Sequence, residues 1–342
     1  MKQQDKSTRQ NKSETQQNKS ETQQIILAKS AMNYEQMKRK IELGADGLEI
    51  QLLGELIVSQ KRFKTVEKAF PNLFELTEFP VYSIHAPLLE YTTDKNLDDS
   101  NIDIQPNIEQ LVQREYVYLL EQIFRLAETF ALKQNHRVNI VVHSELSYRT
   151  LKTYNSSIYK DLTTIIPKLL SKYEEVDLCI ENVCPIRKIY KQTGEFQLGN
   201  NFSYDCIEMV EDLRNTLGKE YKNRLFNVLD TCHAEIAHQF VYTLHKLYPE
   251  INISEYEMYT FFKKFASTTK IVHLSITRGN GNGKGRHGQP FETFEDKQIA
   301  EYYLRELKEN NFNSFYVLEV AETDYNLSDG FSKSLKIIKE LL

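Results

Sequence analysis

From residue 25 to the end of the chain, short β-branched or aromatic runs alternate eight times with longer helix-forming stretches. The runs are IILA (25–28), GLEIQLL (47–53), PVYSIHA (80–86), RVNIVVH (137–143), VDLCIEN (176–182), LFNVLDT (225–231), KIVHLSI (270–276) and SFYVLEV (314–320). Helices are predicted over 33–43, 61–70, about 108–132, 157–172, 203–217, 234–247, 255–266, 293–310 and 328–341. Near-continuous apolar strands of this kind belong to parallel sheets covered by helices. Eight such units most simply close into a (β/α)8 TIM barrel. An open doubly wound sheet would gather ligands at one switch point, and would not account for reactive side chains on six strands. The expected fold is therefore α/β, a single barrel domain over residues 25–342.

Residues 1–24 do not share the pattern. NKSETQQ stands twice in tandem, at 11–17 and 18–24, and no aromatic or β-branched aliphatic residue occurs before Ile25. Such a segment has nothing with which to bury a core, and a disordered low-complexity tail is expected. Its seven-residue period carries no apolar pair, so a coiled coil is excluded.

The runs end in a consistent way. His85, His143, Glu181, Asp230, His273 and Glu319 each stand at or just beyond the end of a strand, and His233 follows Asp230 by three residues. Side chains alternate faces along a strand, so Val81, Ser83 and His85 share a face. So do Asn139, Val141 and His143, then Phe226, Val228 and Asp230, then Ile271, His273 and Ser275. The strand ends of a parallel barrel converge on one mouth, where catalytic groups sit. There Glu181, Asp230, His273 and Glu319 make a four-ligand set. Three carboxylates buried together repel one another unless a cation joins them. Imidazole with carboxylate suits zinc, manganese or a similar divalent metal. His85 and His143, with Glu181 bridging, make a second set, and His287 can fold back from its loop. Taken singly, each residue has a plainer role, such as Asp230 capping the next helix. The case rests on the set.

The loop RGNGNGKGRHGQPF (278–291) places Arg278, Lys284 and Arg286 among glycines, a composition suited to phosphate or another anionic part of a substrate. It is not a Walker loop, because Gly285 follows Lys284. The loop after the fifth run, with Arg187, Lys188, Tyr190 and Lys191, is a candidate lid. A net charge of −5 gives no broad field to capture nucleic acid. No apolar run approaches the roughly 20 residues of a membrane span, and a cytoplasmic location is expected. Cys179, Cys184, Cys206 and Cys232 form no CxxC pair and are expected to be reduced. His136, His238 and His245 fit no strand end.

The strings HAPL, VVHSE, IENV, LDTCHA, HLSI and LEVAE, in that order and on those strands, resemble the xylose isomerase-like barrel superfamily. That group includes endonuclease IV and many sugar (phosphate) isomerases and epimerases, and the resemblance spans roughly residues 25–342. In the endonuclease branch three metals are bound. The resemblance then implies one ion on His85, His143 and Glu181, another on Glu181, Asp230, His273 and Glu319, and a third served by His233 and His287. That branch carries Asp-Arg-His in the loop after the seventh strand. This chain has Gly285-Arg286-His287 and so lacks one carboxylate ligand. In the epimerase branch the four-ligand site suffices, and His233 and Arg278 take substrate-contacting positions. The resemblance thus implies one to three divalent ions. It also implies an isomerase or epimerase that moves a proton on a small polyhydroxylated or phosphorylated substrate, with Glu181 and Glu319 as the proton-transferring pair and His233 orienting the substrate. The alternatives are an endonuclease IV-like phosphodiesterase acting on abasic-site DNA, a dehydratase with the same metal site, and a non-catalytic barrel.

Overall fold

The computed structural model describes residues 24–52, 58–59, 62–63, 65–86, 101–103, 114–143, 156–190, 196–198, 205–278 and 286–342. Eight parallel strands close into a barrel. They are β1 (Ile26–Ala31), β2 (Gly47–Gln51), β3 (Val81–His85), β4 (Val138–His143), β5 (Val176–Glu181), β6 (Leu225–Asp230), β7 (Thr269–Leu274) and β8 (Phe315–Leu318). Their order round the barrel is β1-β8-β7-β6-β5-β4-β3-β2, so each strand lies beside its neighbours in sequence and β8 closes on β1. The longer helices are α1 (Tyr34–Glu42), α2 (Arg114–Gln134), α3 (Ser156–Lys172), α4 (Asp205–Leu217), α5 (Thr231–Leu247), α6 (Met258–Phe265), α7 (Phe294–Glu309) and α8 (Asp329–Leu341).

These bounds fall close to those expected, because pattern and caps agree. Asn33 accepts from Gln36 N to start α1, and Thr293 and Asp296 form a reciprocal capping box at α7. Outward-facing strand residues such as Ile140, Ile180, Val272 and Leu318 pack in one core with the helices' Phe124, Phe130, Phe261 and Phe331. Burying each of these phenylalanines contributes on the order of 2–3 kcal/mol.

Two stretches differ from expectation. The helix predicted over 61–70 is replaced by a small antiparallel pair, Val58–Ser59 with Arg62–Phe63, and a single turn at Val66–Ala69. Val58 is in register with Phe63 in that pair, and both are residue types enriched in strands. The stretches after β3 and β5, read as loops, contribute Asn101–Asp103, Ile186–Tyr190 and Phe196–Leu198 to a three-stranded antiparallel sheet. Of the expected tail, residues 1–23 lie outside the described residues. Gln24 is described, and its side chain donates to the Ser314 carbonyl. No helix among the described residues is long and apolar enough to cross a membrane. The four cysteines are unbridged.

The barrel interior is layered. Leu27, Val141, Cys179, Val228, Ile271 and Val317 form a separate buried apolar cluster. Two residues further along each strand, on the same face, come Lys29, His143, Glu181, Asp230, His273 and Glu319. On the near side of that cluster, two residues before Cys179, Asp177 is fully buried at the opposite end of the barrel. It accepts from Arg137 Nη2 at 2.6 Å and Lys270 Nζ at 2.7 Å, with Arg224 Nε 3.7 Å away.

Candidate metal centre

Register explains why the expected residues meet. His143 pairs with Glu181 across β4 and β5, and Asp230 with His273 across β6 and β7. His85 ends β3, and Glu319 follows β8 by one residue. Three sets of donor atoms result, each with all atoms within 4.8 Å of one another. They are His85, His143 and Glu181; Glu181, Asp230, His273 and Glu319; and Asp230, His233 and His287. Glu181 belongs to two sets and Asp230 to two, so the three are contiguous.

Glu181 divides its oxygens. Oε2 lies 3.1 Å from His85 Nε2 and 3.4 Å from His143 Nε2, while Oε1 lies 3.3 Å from His233 Nδ1 and 3.5 Å from His273 Nδ1. Asp230 divides its oxygens too. Oδ1 accepts the His233 N–H at 2.7 Å, which caps α5. Oδ2 is left facing His233, His273 and His287 at 3.7–3.9 Å. The capping role and the ligand role therefore coexist on one side chain.

Sequence reasoning passed over three groups here. Lys29, on β1, places Nζ 2.6 Å from Glu319 Oε1. Glu49, on β2 and fully buried, accepts from Ser83 Oγ at 2.7 Å and holds Oε1 3.0 Å from His273 Nε2. Asn182 bonds the backbone of Asp230 in both directions, donating at 3.0 Å and accepting at 2.7 Å, and its carbonyl takes His233 Nδ1 at 2.7 Å. Lys29 was missed because the first run was ended at Ala28. Glu49 was missed because it stands inside its strand. The available signal was parity: Lys29 follows the interior Leu27 by two, and Glu49 is its register partner.

Four carboxylates (Glu49, Glu181, Asp230 and Glu319) thus share a nearly dry space with one lysine. Burial alone would raise these acids and lower the histidines, but the charges outweigh it. Glu181 is held well below the usual carboxylate range by His143 and His273. Glu319 is held well below it by Lys29 and His273. His273 is pushed the other way, well above an ordinary imidazole, by Glu49, Glu181 and Glu319. His85 is lowered, by burial and by Lys29, and so favours the neutral ring that a metal requires.

The donor set fits a divalent ion, and the fit is best at its centre. Asp230 Oδ2, His273 Nδ1 and Glu319 Oε2 are buried and make no hydrogen bond. His273 Nδ1 lies only 2.8 Å from Glu319 Oε2, yet the angles do not make a bond of that contact. Buried polar atoms are rarely left so, and atoms of this kind aimed at a common point are what a cation satisfies. Glu49 Oε1 stands 3.0 Å from the far nitrogen of His273, where an outer carboxylate partner of a ligand imidazole belongs, although these two atoms also make no hydrogen bond. In the flanking sets the imidazoles are better served. His85 has Glu181 Oε2 and the Ala86 carbonyl, and His233 Nδ1 has the Asn182 carbonyl.

His287 does fold back. The strand Arg286–Gln289 pairs with Ile276–Arg278, and the His287 ring lies 4.6 Å from that of His233. Gly288 fastens this hairpin to the Glu319 segment. Its φ is +68°, its carbonyl accepts Ala321 N–H at 2.6 Å, and a Cβ would stand 3.3 Å from the Glu319 carbonyl. Arg278 is not brought to the donors. Its guanidinium pairs with Asp296 at 2.5 Å, with Glu292 at 3.7 Å and with the Pro290 carbonyl at 3.2 Å. Of the remaining cations, Lys284 and Lys191 lie outside the described residues. The side chains of Arg286, Arg187, Lys188 and Tyr190 are likewise outside them.

No family model matches this sequence, and no curated protein does. Solved structures do match. A xylose isomerase domain protein from Planctomyces limnophilus overlays with a TM-score of 0.51 at 11% identity, over 93% of this chain and 96% of that one. A D-tagatose 3-epimerase-like protein gives a TM-score of 0.48 at 14% identity, over 92% and 98%, an overlay too loose to carry more. At such identity the likeness is one of fold: the chain has an eight-stranded α/β barrel.

Proposed function

We propose that this barrel is a divalent-metal-dependent enzyme of the sugar isomerase or epimerase type, acting by proton transfer on a small polyhydroxylated substrate. One observation carries the reading. The buried side-chain atoms without hydrogen bonds among the proposed ligands (Asp230 Oδ2, both ring nitrogens of His273 and Glu319 Oε2) all belong to the four-residue central set. A divalent ion held there would bind neighbouring substrate oxygens and make the C–H beside a carbonyl more acidic. Glu181 and Glu319 are both kept ionised by their neighbours, so each meets the substrate as a base. They come from β5 and from just after β8: the one that takes the proton would become the acid, and the other would return a proton from another direction only after taking one from solvent. His233, fixed by Asn182, presents its remaining nitrogen to orient a hydroxyl. Arg286 and Lys284 are proposed to meet the anionic end of a phosphorylated substrate. Arg278, tied to Asp296, is proposed to brace that loop in addition to the substrate contact expected of it.

A specific observation favours a second reading, phosphodiester hydrolysis. Two further donor sets adjoin the central one. The third set has three donors, with no carboxylate at Gly285 to complete it, and its His287 is 40% exposed.

The full chain loaded with manganese or zinc, incubated in deuterated water with ketoses and their phosphates, tests the first reading. Deuterium is expected beside the carbonyl in at least one sugar, and Glu319→Gln is expected to abolish it. Cleavage of abasic-site duplex without any exchange would transfer the case to the second reading.

A further inference from the structure

We infer that Lys29 is a positioning residue that divides the two oxygens of Glu319 and so makes Glu319 a one-oxygen ligand. The inference rests on the metal reading above and goes beyond it in saying how one ligand is held.

Lys29 lies on β1, between β8 and β2, with both neighbours in parallel register: Ala28 faces Leu318, and Lys29 faces Glu49. Its stem is therefore fixed by the barrel itself, and its side chain is 13% exposed. Nζ stands 2.6 Å from Glu319 Oε1, a close ion pair. The other oxygen, Oε2, points to His273 Nδ1 at 2.8 Å and has no hydrogen bond. One oxygen thus faces an ammonium and the other the ligand cluster, so the proton transfer proposed for Glu319 falls to Oε1, the oxygen turned away from the ion. Chelation by both oxygens would force Oε1 to share the ammonium with the ion, bringing two cations together at one nearly buried oxygen, which is unfavourable.

The consequence is chemical. A carboxylate bound through one oxygen takes one place round an ion instead of two, and a catalytic metal needs places left for substrate. Lys29 also supplies the only lysine or arginine charge near four carboxylates among the described residues. It can thereby hold Glu319 in place before any ion arrives. Neither point is available to a residue that merely fills space, because a methionine of similar length would pack the same stem without fixing an oxygen.

The test uses Co²⁺ as the probe and the visible spectrum of the full-length protein as the readout. Lys29→Met is expected to weaken the cobalt absorption, as the freed second oxygen raises the coordination number. It is also expected to lower Co²⁺ affinity by about 10- to 100-fold, the usual cost of losing an outer partner. Lys29→Arg, which keeps a donor to Oε1, is expected to restore the wild-type spectrum. If Lys29→Met is not folded by circular dichroism, Lys29→Gln takes its place, with a spectrum expected between those of wild type and an unrestrained site. A Met or Gln variant that binds cobalt with the wild-type spectrum and affinity overturns the role of Lys29 while leaving the metal reading intact. Wild-type protein that takes up no Co²⁺ overturns the metal reading itself, and this inference with it.

Discussion

The two ends of β5 carry the same kind of residue on the same face, and they are treated in opposite ways. Asp177 stands two residues before Cys179 and Glu181 two after it, both inside the barrel and both buried. Around Asp177 one carboxylate is matched by three cations, although Arg224 Nε makes no hydrogen bond. Arg137 and Lys270 bond it directly, Arg224 stands within 3.7 Å, and Arg224 itself donates to three backbone carbonyls at 2.6 Å. Around Glu181 the match is incomplete, with four carboxylates, one lysine and several buried donor atoms left without hydrogen bonds. The lower mouth matches its buried charge, and the upper mouth leaves buried charge and polar atoms uncompensated, as the proposed cation site would require. The same division between N-terminal and C-terminal faces is general to such barrels.

Mutating the two ends separates these roles. Asp177→Asn is expected to cost roughly 3 kcal/mol in denaturant unfolding, the low end for breaking a buried pair, since Arg137 and Lys270 keep some water. That loss is expected with or without metal. Glu181→Gln is expected to behave differently: wild type gains about 2.7 kcal/mol at a metal concentration a hundredfold above Kd, and the variant loses that gain. Equal losses in the presence of a chelator would remove the distinction between the mouths.

Glu49→Gln tests the outer layer of the upper mouth. It keeps the shape but weakens the hold on His273 Nε2. Metal affinity is expected to fall about 10- to 100-fold, measured by competition with a chromophoric chelator. An unchanged affinity would reduce Glu49 to a structural partner of Ser83.

The pH dependence is smaller per unit and its sign is fixed. His273 is raised above 6.5, so in the metal-free protein it contributes stability that is fully present below 6.5 and lost as pH rises through its folded value. Glu181 and Glu319 are lowered below 4.5, so their contribution is present above 4.5 and lost as pH falls through their folded values. From these groups the metal-free protein is most stable between 4.5 and 6.5. A metal must displace the His273 proton, so its affinity is expected to rise about tenfold per pH unit while that proton is released. Calorimetry in buffers of different ionisation heat reads the proton directly. The smallest effect is expected from His287→Ala, which belongs only to the third donor set and leaves the affinity for the first ion unchanged within about threefold, where a loss of the outer-shell kind would be tenfold or more.

Much of this was legible in one dimension. The eight alternations fixed the barrel because a strand apolar on both faces has few other places to go. His85, His143, Glu181, Asp230, His273 and Glu319 were legible because a strand end is a local signal. Lys29 and Glu49 were not, since a lysine after Ala28 and a glutamate inside GLEIQ look like ordinary strand polarity. Parity with the interior Leu27 pointed to Lys29, and the pairing of β1 with β2 placed Glu49 beside it.

The chain by itself thus determined the fold and the strand-end groups that share the upper mouth, His85, His143, Glu181, Asp230, His273 and Glu319, because period-two alternation and strand order are properties of sequence. Tertiary structure decided which oxygen of each carboxylate faces which neighbour: Asp230 Oδ1 to the α5 cap and Oδ2 to the cluster, Glu319 Oε1 to Lys29 and Oε2 to His273. It also drew Arg278 away to Asp296. Those choices depend on distances between strands far apart in the chain, and closure of the barrel brings them within reach.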